Sequence, residues 1–289
     1  MKKLIFFIIT VSLLASCTED INVNLPGSQS KVVIEGSIEN GKYPEVILTK
    51  NIPLFSSVSG GGITDLFILD ARVYVTNNGI VDTLALTIDS SSSLGLVYKG
   101  HTIIGVPGQS YNLTVIAQGN TYTAVTTIPT PVALDSVWWK PEPRHDSLGF
   151  ANAHLSDPSG LGNNYRWLAK RPKDRRFIAP GGATFDDKFI DGKSFDFAYD
   201  RGYDATDVVN TPENVPEGQR GYYLLTDTIY IKFCTIDRAS KDFYTTFETA
   251  IQSNVNPFAS PVTVLNNING GGLGVWCGAG VTYDTIYPH

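Results

Sequence analysis

Three pairs of short alternating segments, each joined by a glycine-containing turn dipeptide, most constrain the fold of this chain. The pairs are residues 32–38 with 44–49, 71–75 with 80–84, and 111–115 with 122–125, and the predicted turns are Asn40-Gly41, Asn78-Gly79 and Gly119-Asn120. Such dipeptides supply the positive φ angles that tight β-hairpin turns require. With about seven short strands expected at regular spacing, residues 31–131 are predicted to form an immunoglobulin-like or transthyretin-like β-sandwich.

The remainder, residues 132–289, is predicted to be a second β-rich domain with one helix near 238–253. Strands are expected at residues 135–140, 150–155, 165–170, 222–234 and 272–281. Asp237 is a candidate N-cap for the helix. The helix has an apolar face that we expect to lie on a sheet, formed by Phe243, Phe247, Ala250 and Ile251. The predicted fold class is therefore all-β, mainly strands with one amphipathic helix.

The first 16 residues are predicted to be an export signal that ends in a lipobox. Lys2 and Lys3 precede an apolar run of about twelve residues, too short to span roughly 30 Å of bilayer core. Leu14-Ala15-Ser16 then leads to Cys17, the position that lipoprotein processing acylates through sulfur. We predict lipidation at Cys17; an ordinary secretory signal with an incidental cysteine is the alternative.

The predicted localisation is the outer membrane, with the protein held by its lipid anchor and exposed at the cell surface. Residues 17–30 are polar and lack periodicity, which favours a flexible tether. Thr18-Glu19-Asp20 resembles the short acidic signal that displays some lipoproteins on the outer surface.

The charge of the chain disfavours nucleic acid as a partner. It has 22 Lys and Arg against 28 Asp and Glu, a net charge of −6, and removal of Lys2 and Lys3 with the signal lowers this by two, to −8. An acidic chain has no electrostatic footprint for phosphate backbones.

Cys234 and Cys277 are the cysteines that remain after Cys17. An exported protein can form disulfides, so the pair is a candidate bridge, and two buried thiols are the alternative. No histidine has zinc-ligand spacing to a cysteine, and we predict no metal site and no cofactor.

One short acidic segment left two hypotheses open. Seven aspartates fall between residues 186 and 207, namely Asp186, Asp187, Asp191, Asp196, Asp200, Asp204 and Asp207. They are either a calcium site or, as we favour, an acidic surface that faces the basic stretch of residues 166–176. No Ser-His-Asp pattern, Gly-x-Ser-x-Gly elbow or selected carboxylate pair is present, so we predict no catalytic residues and no enzyme.

Asp followed by Ser or Thr and an aliphatic residue resembles a bacterial O-glycosylation acceptor. The candidate acceptors are Thr83, Ser136, Ser147, Thr228 and Thr285. The alternative is that this order of residues simply makes a good strand entry.

Several segments together resemble a known family. They are Val33-Ile34-Glu35-Gly36, Asp70-Ala71-Arg72-Val73, Pro107-Gly108-Gln109-Ser110-Tyr111-Asn112-Leu113, Tyr122-Thr123-Ala124, Asp157-Pro158, Asn256-Pro257-Phe258 and the run from Asn267 to Gly274. This pattern is similar to the Bacteroidetes outer-membrane lipoprotein family known as domain of unknown function 4249. The resemblance implies a two-part β-rich fold and an envelope role beside TonB-dependent receptors, and it brings no catalytic residues.

The glycine-rich run is the most specific part of that resemblance. We favour a bend that feeds the last strand into a crowded sheet, because glycine in a strand marks close backbone approach. The alternative is a loop that docks on a partner barrel, with Gly270, Gly271, Gly272, Leu273 and Gly274 as the docking candidates.

Three functions are carried forward. The first is a non-enzymatic outer-membrane lipoprotein of unknown ligand, accessory to a TonB-dependent transporter in nutrient binding or uptake. The second is a free-standing surface module that binds glycans or peptides or acts in adhesion. The third, ranked last, is a hydrolase that uses the acidic segment.

Overall fold

A computed structural model describes residues 30–51, 66–90, 92, 95–202, 221–254, 260 and 262–288. Within these residues the chain forms fifteen strands and one helix, which confirms the all-β fold class. The elements are β1 (Val32–Glu39), β2 (Glu45–Lys50), β3 (Arg72–Asn77), β4 (Ile80–Ile88), β5 (Leu96–Lys99), β6 (Ser110–Ala117), β7 (Asn120–Thr127), β8 (Ser136–Glu142), β9 (His145–Ser156), β10 (Asn164–Lys170), β11 (Thr184–Asp186), β12 (Ser194–Tyr199), β13 (Tyr223–Leu224), β14 (Ile229–Ile236), α1 (Arg238–Asn254) and β15 (Leu273–Ile286).

Eleven of the strands form one long sheet, in the order β11-β10-β14-β15-β1-β2-β5-β4-β3-β6-β7. The other four form a second sheet around β9, which pairs with β12, β13 and β8. The long sheet therefore runs through both halves of the sequence.

The hairpin turns follow the glycine signals, with one shift. Asn78 and Gly79 have φ angles of 47° and 80° between β3 and β4, as predicted. In the third hairpin the residues with positive φ are Gln118 and Gly119, at 50° and 76°. The predicted turn at Gly119-Asn120 was therefore wrong by one residue, because Asn120 already pairs with Ala117 as the first residue of β7.

Strand β15 joins the two halves of the chain. It pairs in parallel with β1, where Trp276 is opposite Gly36, and antiparallel with β14, where Val281 is opposite Cys234. Trp276 is fully buried in the first core, and its indole nitrogen donates to the carbonyl of Tyr111 at 3.0 Å. The domain limits 31–131 and 132–289 stay a prediction, to which the structure adds that the C-terminal strand completes the N-terminal core.

The two larger hydrophobic cores lie on the same face of the long sheet, and a third, smaller cluster lies on the other face beneath α1. Strand residues alternate between faces, and the pairings Trp276 with Gly36 and Phe233 with Thr282 place Trp276 and Phe233 on one side. The second core, around Trp167 and Phe233, is closed by residues of β9 and β12 such as Leu155 and Phe197. We call this side the core face.

Helix α1 covers part of the opposite side, which we call the cleft face. Asp237 caps it as predicted: its Oδ1 accepts the backbone N–H of Ser240 at 2.7 Å. The predicted apolar face was partly wrong. Phe243 and Tyr244 pack on the sheet, whereas Phe247 and Ile251 are 44% and 53% exposed.

Candidate functional site

A cleft of about 730 Å³ lies on the cleft face of the long sheet. Its floor is formed by side chains of β1, β2, β5, β10 and β14, and it is bounded by residues 175–179 and by Tyr244 of α1. We call it the sheet cleft. Its charged lining residues are Glu35, Glu39, Lys42, Glu45, Asp89, Lys99, Arg166, Lys170, Arg175, Arg176 and Lys232.

The sheet cleft is positively charged in an acidic protein. Among the described residues, seven cations and four carboxylates line it, although the whole chain carries only 22 Lys and Arg and has a net charge of −6. A concave site with one excess sign of charge concentrates ligands of the opposite sign.

Glu39 is held by two lysines at one end of the cleft. Its Oε1 pairs with Lys232, and its Oε2 lies 2.9 Å from Lys42 Nζ. The side chains of Glu39 and Lys232 are 13% and 16% exposed. Burial alone would raise the pKa of Glu39, but the charges of Lys232 and Lys42 outweigh it and hold this pKa below its usual value.

Lys99 neutralises the carboxylates on the β2 and β5 side. Its Nζ lies 2.6 Å from Glu45 and 3.6 Å from Asp89. The side chains of Lys99 and Glu45 are both more than one-third exposed, so solvent weakens this pair.

Other cations of the cleft contact aromatic rings instead. The guanidinium of Arg166 lies 3.4 Å from the centroid of the Tyr244 ring, and Lys170 Nζ lies 5.1 Å from that of Phe177. Arg175 donates to the carbonyl of Ser90 at 3.4 Å. Within the described residues, Arg166, Lys170 and Arg175 have no carboxylate at ion-pair distance.

The predicted pairing of the acidic and basic segments is not what the described ion pairs show. Asp186 pairs with Lys241 at 2.9 Å, and Asp196 pairs with His154 at 2.6 Å. In the basic stretch, Arg171 is buried against Asp174. Sequence reasoning missed that residues of the basic stretch line a cleft with β1 and β2. Asp204 and Asp207 lie outside the described residues.

Three aspartates form a separate cluster that could hold a metal ion. Ligand atoms of Asp157, Asp187 and Asp191 all lie within 4.8 Å of one another. Asp187 accepts the N–H groups of Gly162 and Asn163 at 2.7 Å each. All the donors are oxygens, the type that hard cations such as Ca²⁺ take. Sequence reasoning placed Asp187 and Asp191 in one segment but missed Asp157, which lies 30 residues earlier.

The candidate disulfide is contradicted, because Cys234 and Cys277 are both free and buried. Cys234 lies opposite Val281 on β15, four residues beyond Cys277. At about 3.4 Å per residue their Cα atoms are about 14 Å apart, beyond the roughly 4–7 Å of a bridge. Burial raises the pKa of Cys234 to about 11 and that of Cys277 to about 12, so both thiols stay protonated at neutral pH.

The candidate glycosylation residues differ in their exposure. Thr83, Ser136 and Ser147 are exposed, whereas Thr228 and Thr285 are half-buried. In the first motif the preceding aspartate, Asp82, is fully buried and accepts the N–H groups of the loop that follows β5. The aspartate in this motif therefore has a structural role, and glycosylation stays a prediction that intact-mass spectrometry of the native protein tests.

The glycine-rich run meets its own chain closely at alternate positions. A Cβ on Gly270 would lie 2.4 Å from the carbonyl oxygen of Thr121, and one on Gly274 only 1.9 Å from that of Ile34. These contacts fit the bend that we favoured. Gly271 has open space around it, Gly272 would meet Tyr122, and Leu273 begins β15. Docking by this run stays a prediction, as does lipidation at Cys17, which lies outside the described residues.

The charged residues of the sheet cleft carried a weak signal in the sequence. Alternation in β1 and β10 places Glu35 and Glu39, and Arg166 and Lys170, on one side of their strands. Alternation shows that such residues share a face, but not that two strands 130 residues apart face a common space.

Comparison with known proteins gives a family and no named relative. No curated protein matches the chain. Within the described residues, no helix has the length and apolar character needed to cross a bilayer. The family "Domain of unknown function (DUF4249)" matches residues 18–284. This match covers nearly the whole chain, and the protein therefore belongs to the family of domain of unknown function 4249.

Proposed function

We propose that this protein is a non-enzymatic lipoprotein of the outer membrane that binds a ligand in the sheet cleft as an accessory to a TonB-dependent transporter. The observation that carries the proposal is the cleft itself: a large concave site on a continuous sheet, lined by charged and aromatic side chains. Such sites are the default location for small-molecule binding. The lipobox at Cys17 and the polar tether of residues 17–30 support attachment to the membrane.

The geometry of the nucleophilic groups favours binding over catalysis. Among the described residues, two histidines pair with aspartates, His101 with Asp82 and His154 with Asp196. Neither histidine has a serine or cysteine hydrogen-bonded to its ring, as a nucleophile and base would require. Burial keeps the two thiols protonated.

Co-purification tests the proposal. The tagged chain is recovered from detergent-solubilised outer membrane, and a barrel protein is expected with it. A Cys17→Ser variant is the matched control, because it removes the acyl anchor and leaves the residues of the sheet cleft unchanged. Recovery of the wild-type chain without any barrel protein would contradict the transporter role.

The alternative is a free-standing module that binds glycans or peptides. The sheet cleft would serve that function equally well, so binding without any co-purifying receptor favours it. A hydrolase ranks third, and it requires activity that disappears on Asp→Asn changes among the aspartates of residues 186–207.

A further inference from the structure

We propose that the sheet cleft recognises an organic ligand through an oxyanion, a carboxylate or a phosphate, held by Arg166, while Lys170 farther along the same strand adds to the positive charge of the cleft. The inference rests on the proposed function in assuming that the cleft binds a ligand, and it adds the chemical class of that ligand.

The first step is the pairing of charges inside the cleft. Glu39 is occupied by Lys42 and Lys232, and Glu45 is occupied by Lys99. Glu35 is exposed and makes no ion pair among the described residues. The carboxylates that are paired thus lie at the β1 and β2 side. The cations with no carboxylate at ion-pair distance within the described residues are Arg166, Lys170 and Arg175, although the charge of Arg166 also acts on Glu248 of α1.

The second step is the state of Arg166. Its Nε is buried and has no hydrogen-bond partner among the residues that the structure describes. A buried donor is normally satisfied, and an unsatisfied one calls for a specific explanation. Because the atom is closed to solvent here, a ligand oxygen would reach it only after a shift of the side chain, and would then supply the missing acceptor.

The third step is the orientation of the guanidinium. One of its flat faces is covered by the ring of Tyr244 at 3.4 Å. Stacking fixes the plane of the group, and its hydrogen-bond donors then point outward from the edge of that plane. Edge-on donors in a fixed fork match the two oxygens of a carboxylate or phosphate.

The fourth step is the size of the site. Arg166 and Lys170 lie on the same face of β10. Their Cα atoms are about 13 Å apart, because a strand rises about 3.3 Å per residue. Leu168 lies between them on the same face and also lines the cleft, as does Phe177. A space of about 730 Å³, lined by some apolar and aromatic side chains beside the charged ones, is far larger than one inorganic anion and suits an organic molecule.

The test uses three sugars that differ only at one carbon: glucose, glucuronate and glucose 6-phosphate. Binding to the full chain in detergent is measured by isothermal titration calorimetry at low salt. We expect glucuronate or glucose 6-phosphate to bind at least about 10-fold more tightly than glucose, the scale of a hydrogen bond to a charged group. The preferred anion distinguishes a carboxylate ligand from a phosphate ligand.

Variants locate the anion. Arg166→Gln should lower the affinity for the preferred anionic sugar by about 10-fold or more. Arg166→Lys should restore part of that affinity, because lysine restores the positive charge but not the paired N–H donors of the guanidinium. Arg72→Gln is the matched control, since Arg72 is an exposed strand arginine outside the cleft that makes no described ion pair. Thermal melting of each variant verifies that it is folded.

The outcomes separate this inference from the transporter role. Equal binding of all three sugars, or an anion preference that survives Arg166→Gln, overturns the inference even if a barrel protein co-purifies. A clear anion preference that depends on Arg166, without any co-purifying barrel, upholds the inference and rejects the transporter role.

Discussion

Strands β1 and β10 of the long sheet carry different residues on their two faces, whereas β15, which lies between them, is apolar and buried on both faces over most of its length. On the core face, Ile34, Trp167 and Trp276 are completely buried. One residue away, Glu35 and Arg166 line the sheet cleft. Because side chains alternate along a strand, a slip of one residue would exchange the two faces. The register that buries Trp276 therefore also decides which charged groups the cleft presents.

The core face contributes more to the stability of the protein than the cleft face. Moving apolar side chains out of water lowers the free energy of the folded protein. Partly buried charges lose hydration, and their partners replace only part of it. A sheet face that is open to solvent is ordinarily polar, and the charges of the cleft face also suit the ligand that we propose. The predictions below measure how unequal the two faces are.

The largest effect is expected on the core face. Trp276→Ala should lower the free energy of unfolding by about 3–5 kcal/mol, because it leaves a cavity in the first core. It also leaves the carbonyl of Tyr111 without its indole donor. Urea unfolding measures the change. Ile88→Ala, at a strand position that is 83% exposed, is the control and should stay within about 0.5 kcal/mol. A loss below about 1 kcal/mol for Trp276→Ala would contradict its place in the core.

The next largest effect concerns an ion pair of the cleft face. Glu39→Gln should destabilise by about 3 kcal/mol, because it leaves the mostly buried Lys232 charged and unpaired. Glu45→Gln is the matched control, since its pair with Lys99 is more than one-third exposed. That change should cost at most about 1 kcal/mol in the same urea assay. Equal losses for the two variants would mean that Glu39 is no better shielded than Glu45.

The Glu39 difference should fade in acid. The pKa of Glu39 is lowered in the folded state, so its contribution is present above the pKa of the unfolded chain and is lost as the pH falls through the folded value. The gap in unfolding free energy between wild type and Glu39→Gln should therefore be full at neutral pH and shrink below about pH 4.3. Urea unfolding at a series of pH values measures this gap. A gap that grows in acid would have the wrong sign for a carboxylate held by lysines.

Local features of this fold could be predicted from the sequence, because their causes are local. Asn78-Gly79 has the positive φ angles that its hairpin requires, and Asp237 accepts the N–H of Ser240 as an N-cap. The side of α1 that packs was predicted less well. The predicted apolar face did not include Tyr244, whose ring packs on the sheet and contacts the guanidinium of Arg166.

The parts that sequence reasoning missed depend on contacts between distant segments. The parallel pairing of β1 with β15 joins residues about 240 positions apart, and no periodicity identifies such a partner. The structure shows why residue 36 is a glycine: a Cβ there would lie 2.7 Å from the Trp276 ring of the paired strand. The sequence alone does not reveal this contact. The sheet cleft depends on the same pairing, because β15 lies between the strands of Glu39 and Lys232.

The smallest effect is expected where α1 covers the cleft face, at Cys234 and Cys277. Excess dithiothreitol should leave the melting temperature unchanged, because the two thiols are free. A bridge between them would stabilise by about 3–4 kcal/mol, and its reduction would lower the melting temperature by roughly 10 °C. Thiol titration supplies the control: both cysteines should react after unfolding without any reductant, and neither should react readily in the folded protein, because burial raises their pKa values. A fall in melting temperature on reduction would mean that β14 and β15 pair in a different register, and the composition of both faces would then have to be reassigned.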